Sequence, residues 1–211
     1  MLPFDRPFTS ADEIFTADEI SDIMDKVLSF KHLWTEGLDT GNLFLPAALF
    51  LGRNLSLKGL MEENFSEYYL KFKDVINSTF QISAQTSTDY NYPGFNIFQG
   101  PLKYANHNFH RDRWNGIDGP VWSVNIPICL PESNQGLNYT SHEPVLERDN
   151  RYRKMEGIIY HQEKYEVSRM TAWWGEMPHS IGHFTLKENE YRITMQCHVL
   201  VKPTGESEIF W

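Results

Sequence analysis

Two histidines and an aspartate, His110, Asp112 and His179, followed by Arg192, are the residues of this chain whose types and order could do chemistry. Two imidazoles and one carboxylate can hold a divalent transition metal on one face and leave the opposite positions open. In an extended strand the side chains of residues i and i+2 share a face, so His110 and Asp112 can reach one ion while Arg111 points away. The third ligand must come from elsewhere in the fold, because three side chains of one extended run do not converge on one ion. His179 is placed for this: it follows the apolar, strand-like run Met170–Trp174 through Gly175-Glu176-Met177-Pro178, which ends the strand near the histidine. His183 is the rival, and His179 is preferred for its place just beyond the Trp173-Trp174 pair.

Arg192 begins the run Tyr191–Val201, whose β-branched and apolar residues read as a buried strand, with Thr194 on the same face two residues on. The pattern His110-Arg111-Asp112, His179, Arg192 resembles the HxD…H…R motif of the iron(II)/2-oxoglutarate-dependent oxygenases, over about Tyr104 to Val201. The resemblance implies iron(II) on His110, Asp112 and His179. It also implies 2-oxoglutarate anchored at its far carboxylate by Arg192 and Thr194, since a planar guanidinium matches a carboxylate bidentately. The expected reaction is hydroxylation of an unactivated C–H bond by O2, with decarboxylation of 2-oxoglutarate to succinate. Asp112 speaks against the halogenating relatives, in which a small residue replaces this carboxylate.

Other readings use the same residues. His, Asp and His also suit a zinc hydrolase with an open position, although Arg192-Ile193-Thr194 then has no function. A metal-free β-sandwich binding module would make the histidines structural. Arg192 could be an ion-pair partner of Glu188 or Glu190. His161-Gln162-Glu163 reads as a solvated pair. The substrate expected is a small molecule or amino-acid-like compound, met by Tyr104, Arg113, Trp114 and Trp122, each of which could equally be core. The basic run from Arg148 to Lys154 reads as a solvated loop, or else as a lid toward an anionic substrate.

These side chains need a scaffold. At 211 residues the chain is long enough for one domain with a substantial core, read as a single unit, 1–211. Within it, 1–90 is a helix-rich support and 91–211 a strand-rich core. Thr16-Ala17-Asp18-Glu19 is a capping box ahead of Ile20, Ile23, Met24, Val27 and Leu28 at helical spacing. A second helix is expected from about Ser56 to Asn77. Beyond residue 90, strands alternate with turn signals. Val121 to Ile128 reads as a strand, Pro131 to Gly136 as a turn and Leu137 to His142 as a strand. Helices first and strands later predict a mainly β fold with helices packed on one face. The resemblance implies a double-stranded β-helix, or jelly roll of the cupin kind.

The net charge of −9 disfavours nucleic-acid or anionic-membrane binding, which needs a surplus of Lys and Arg. Cys129 and Cys197 read as buried thiols in strands rather than a disulfide framework. The start of the chain lacks the basic and apolar segments of a signal peptide. The longest apolar run, Leu43 to Leu51, contains Pro46 and is too short to cross a bilayer. A soluble, cytoplasmic protein is the expectation.

Overall fold

The computed structural model describes residues 8–36, 43–46, 55–86, 93–104, 110–112, 121–139, 161–201 and 206–210. Arg113, Trp114, His142 and the Arg148 to Lys154 run lie outside them.

Two helices precede most of the strands. Helix α1 (Ala17–Ser29) starts as its sequence dictates: Thr16 Oγ1 accepts from the Glu19 amide at 3.2 Å, and the Glu19 carboxylate accepts from the Thr16 amide at 2.7 Å. Ile23 and Val27 on its inner face are fully buried. Helix α2 (Leu55–Phe80) runs slightly beyond its expected bounds at both ends. Phe65, Tyr69, Phe72, Ile76 and Phe80 form its buried stripe, spaced at three to four residues. Each such side chain, fully buried, contributes about 1.5–3 kcal/mol relative to exposure.

The strands are β1 (Phe8–Ala11), β2 (Thr35–Glu36), β3 (Leu43–Pro46), β4 (Gln85–Thr86), β5 (Pro93–Gln99), β6 (Leu102–Tyr104), β7 (Val121–Cys129), β8 (Leu137–Tyr139), β9 (His161–Glu163), β10 (Met170–Trp174), β11 (His179–Ile181), β12 (Phe184–Leu186), β13 (Tyr191–Val201) and β14 (Ser207–Phe210). The large sheet runs β1-β10-β7-β13-β5-β3-β2, with β14 and β4 joined to the far half of β13. A small sheet has the order β11-β8-β9, and β12 pairs with β6. Except for β14 with β4, every pairing is antiparallel. The protein is mainly β, as expected.

Alternation along the strands sorts the large sheet into two faces. Trp122, Val124, Ile126 and Ile128 of β7, Met170 and Ala172 of β10, and Ile193, Met195, Cys197 and Val199 of β13 share one core with the buried stripes of both helices. The opposite face is more polar: Ser123 and Asn125, Thr171 and Trp173, and Arg192, Thr194 and His198. The small sheet meets this face, Tyr139 and Leu137 packing with Trp173 and Tyr165.

The front of the chain is not only a helical support. Segments Phe8–Ala11, Thr35–Glu36 and Leu43–Pro46 form edges of the large sheet. Among the described residues no helix is long and apolar enough to cross a membrane. Cys129 and Cys197 are both unpaired thiols, Cys197 buried and Cys129 partly so.

Candidate metal centre

Backbone hydrogen bonds carry His110 and Asp112 to the site. The amide and carbonyl of His110 pair with the carbonyl and amide of His179, both at 2.9 Å, which adds His110 to the edge of the small sheet. Two residues on, the Asp112 amide donates to the Gly175 carbonyl at 2.8 Å, and the Gly175 amide donates to the Val121 carbonyl at 2.9 Å. Gly175 is required for this approach. A Cβ there would stand 2.9 Å from the Asp112 carbonyl oxygen and 3.3 Å from Asp112 Cβ. Arg111 points away, its Nη1 3.9 Å from Glu176 Oε2.

His110, Asp112 and His179 each offer one ligand atom, and these atoms lie within 4.8 Å of one another. Asp112 Oδ1 is 3.5 Å from His110 Nε2, and Oδ2 is 3.4 Å from His179 Nε2. His179 Nδ1 is 2.9 Å from the Met177 carbonyl. A carbonyl only accepts, so Nδ1 carries a proton, which leaves Nε2, beside Asp112, as the ring atom that would bind a metal on losing its own proton. Burial raises the Asp112 carboxyl, but the imidazoles of His179, His110 and His198 outweigh it and hold the group well below the carboxylate range. His179 is lowered by burial but raised overall by Asp112. Anion and lone pairs converging at this spacing suit a divalent metal.

His183 is outside this group, and its carbonyl accepts from the Gln135 amide at 3.0 Å. His161 and Glu163 do pair, at 3.0 Å, but not as a solvated pair. Glu163 is buried and also holds Arg169 at 3.2 Å.

Arg192 is 1 % exposed, which decides against a surface ion pair with Glu188 or Glu190. Among the described residues no carboxylate lies within ion-pair distance of it. Its Nε donates to Asn134 Oδ1 at 3.3 Å, and its guanidinium sits over the rings of Phe184, Tyr165 and Phe98 at 5.3, 5.4 and 5.8 Å. Burial pulls its pKa down, opposed by the neighbouring Tyr165 and Tyr104 hydroxyls. Burial raises the Tyr165 hydroxyl, with Arg192 opposing and the Asp112 charge adding to the rise, and the hydroxyl accepts from Asn125 Nδ2 at 2.9 Å. Thr194 is buried on the Arg192 face of β13.

The aromatic residues expected at a substrate pocket divide. Tyr104 stacks on Phe184 at 4.9 Å beside Arg192, at the cationic end of the site. Trp122 is fully buried on the opposite face of the sheet, edge-on to Phe80 at 5.3 Å. Strand alternation turns its neighbour Ser123, not Trp122, toward the site, so Trp122 is core and the pocket expectation for it is corrected.

Four site residues escaped sequence reasoning: Ser123, His198, Tyr165 and Asn134. Ser123 and His198 are cross-strand partners in the β7–β13 register, and Ser123 Oγ donates to Asp112 Oδ2. His198 Nδ1 is 3.2 Å from the same Oγ. Its burial, only partly offset by Asp112, lowers its pKa to about 4. The polarity of Ser123 inside an otherwise apolar strand was the available signal.

No family model matches this sequence, and no curated protein matches it by sequence. Solved structures do match. A prolyl-4-hydroxylase from Pseudomonas putida superposes with a TM-score of 0.51 at 12 % identity, covering 91 % of each chain. AviO1 from Streptomyces viridochromogenes Tue57 superposes with a TM-score of 0.54 at 13 % identity, covering 94 % of this chain and 91 % of that one. At such identity the likeness is one of fold, and it agrees with the resemblance carried by His110, Asp112, His179 and Arg192.

Proposed function

We propose that this chain is an iron(II)/2-oxoglutarate-dependent oxygenase that hydroxylates an unactivated C–H bond of a small molecule or amino-acid-like substrate. The observation that carries the reading is Arg192. A buried cation with no carboxylate among the described residues, on the sheet face that meets the His110, Asp112 and His179 cluster, is costly in isolation and calls for an anionic occupant. 2-Oxoglutarate has a carboxylate at each end. One would meet Arg192, with Thr194 and Tyr165 beside it, and the 2-oxo acid end would face the metal. The buried Tyr139 hydroxyl, Thr171 Oγ1 and Trp173 Nε1, which have no hydrogen-bond partner among the described residues, also fit a polar occupant between the sheets.

The architecture proposed is the double-stranded β-helix as a single domain. The fold likeness to a prolyl-4-hydroxylase supports it.

Iron(II) would be held by His110, Asp112 and His179, and with 2-oxoglutarate it supplies the oxidising power for C–H cleavage. The chain's own residues bind, orient and shield. Asp112 balances part of the metal charge, Met177 fixes the His179 tautomer, Arg192 sets the reach of the diacid, and Phe98, Phe184 and Tyr165 exclude water around it. A zinc hydrolase leaves Arg192 without a counter-ion among the described residues.

The test is succinate formation from 2-oxoglutarate under air with added iron(II) and a panel of small substrates. Turnover that is lost in His110→Ala and Asp112→Ala supports the reading. Absence of turnover in the unsubstituted chain across the panel overturns it in favour of a binding module.

A further inference from the structure

We infer that Ser123 and His198 form a two-residue relay that positions the Asp112 carboxylate, and that Ser123 is therefore a positioning residue for metal binding; this rests on the metal site proposed above. The argument is one of proton counting. A serine hydroxyl has a single hydrogen, and Ser123 spends it on Asp112 Oδ2. Its contact with His198 Nδ1 at 3.2 Å must then run the other way, from an Nδ1–H to the hydroxyl oxygen. This assigns the His198 tautomer and fixes the hydroxyl rotor toward Asp112, where an accepting imidazole would draw the proton away.

The relay is built by the sheet. Ser123 and His198 are directly opposite in the β7–β13 register, both on the site face, and both are buried at 2 % and 7 % exposure. Trp173 is the partner of Ser123 on the other side, and its ring packs 5.0 Å from that of His179. One rung of the large sheet thus touches two of the three candidate ligands. The backbone of Asp112 is set by its amide bond to the Gly175 carbonyl, and the plane of its carboxylate by side-chain contacts, among them the Ser123 hydroxyl. Groups that hold a metal-binding carboxylate or imidazole in orientation typically matter 10- to 100-fold (about) in metal affinity.

The experiment is a cobalt(II) titration of the full chain, following the visible absorption of the bound ion, beside thermal melting of the metal-free protein. Ser123→Ala should weaken cobalt(II) binding about 10- to 100-fold, Ser123→Thr should restore it by keeping the hydroxyl, and His198→Leu should weaken it less than Ser123→Ala. Cobalt(II) affinity unchanged in Ser123→Ala overturns the relay while leaving the metal site standing. Failure of the unsubstituted chain to bind cobalt(II) overturns the site and the relay together. A loss in Ser123→Ala that Ser123→Thr does not restore, or that tracks a collapse in melting temperature, assigns Ser123 to packing and overturns the relay as well.

Discussion

Replacing Arg192 by methionine should stabilise the ligand-free protein and remove its response to 2-oxoglutarate. Arg192 is 1 % exposed, and among the described residues its guanidinium meets Asn134 Oδ1, the Tyr165 hydroxyl and the rings of Phe184, Tyr165 and Phe98 at 5.3–5.8 Å, but no carboxylate. Those rings offset on the order of 1 kcal/mol each. Desolvating an unpaired cation costs several kcal/mol even after relaxation. The residual penalty, about 1–3 kcal/mol, disappears in Arg192→Met, whose unbranched apolar chain fits among Phe98, Phe184 and Tyr165. For a chain of this size that is a rise in melting temperature of roughly 2–12 °C. The unsubstituted protein behaves oppositely when loaded. With metal present and 2-oxoglutarate at about 100 times its dissociation constant, it should gain about 2.7 kcal/mol, and Arg192→Met should gain little. Melting curves of both proteins, with and without 2-oxoglutarate in the absence of oxygen, provide the comparison. A variant that melts lower than the parent would show that the guanidinium is a structural hub. A variant that still responds fully to 2-oxoglutarate would show that the diacid does not meet Arg192. Either result refutes the reasoning.

The metal-free protein should be most stable near pH 6.5. His198, lowered to about 4 by burial, contributes fully above its ordinary value of 6.5, and roughly 3 kcal/mol of that is lost as pH falls toward 4. His179 is raised, so its contribution is complete below 6.5 and fades as pH rises through its folded value. Urea denaturation across pH 4–7 should therefore show an acid limb that flattens in His198→Asn; an unaltered limb would place the sensitivity elsewhere. Gly175→Ala forces a methyl to within 2.9 Å of the Asp112 carbonyl and should cut turnover on the order of 100-fold; parental succinate formation would show that Asp112 is not set by this contact. Trp122→Ala should cost about 3–5 kcal/mol as a core truncation. Its less disruptive counterpart Trp122→Leu should lower the melting temperature with KM for substrate unchanged, and a KM effect without a stability effect would return Trp122 to the pocket.

What the sequence shows and hides follows from how far each interaction reaches along the chain. His110 and Asp112 are legible because two-residue spacing is itself the geometry of a strand edge, and α1 is legible because Thr16 and Glu19 cap it locally. Strands β7, β10 and β13 can be read from their apolar runs, within a residue of their observed ends. Ser123 and His198 are not legible, because only the β7–β13 register makes them neighbours. Trp122 is misread for a related reason. An aromatic near the metal in sequence falls on either face of a strand according to parity, and the burial of Val124, Ile126 and Ile128 with it settles which. Strands β1 and β3 are too short to carry a periodic signal and exist through their pairing with β10 and β5. Asn134 and Tyr165 reach Arg192 from loops, where sequence distance says nothing about contact.

The most direct measurement is an anaerobic titration of the iron(II)-loaded chain with 2-oxoglutarate, reading the visible charge-transfer absorption that a chelating 2-oxo acid gives with iron(II). The band should rise saturably, weaken sharply when pyruvate, which lacks the distal carboxylate, replaces 2-oxoglutarate, and be absent in Asp112→Ala. No band in a chain that holds iron(II), or an equal response to pyruvate, would contradict the pairing of a His110, Asp112 and His179 metal site with Arg192 as its diacid anchor.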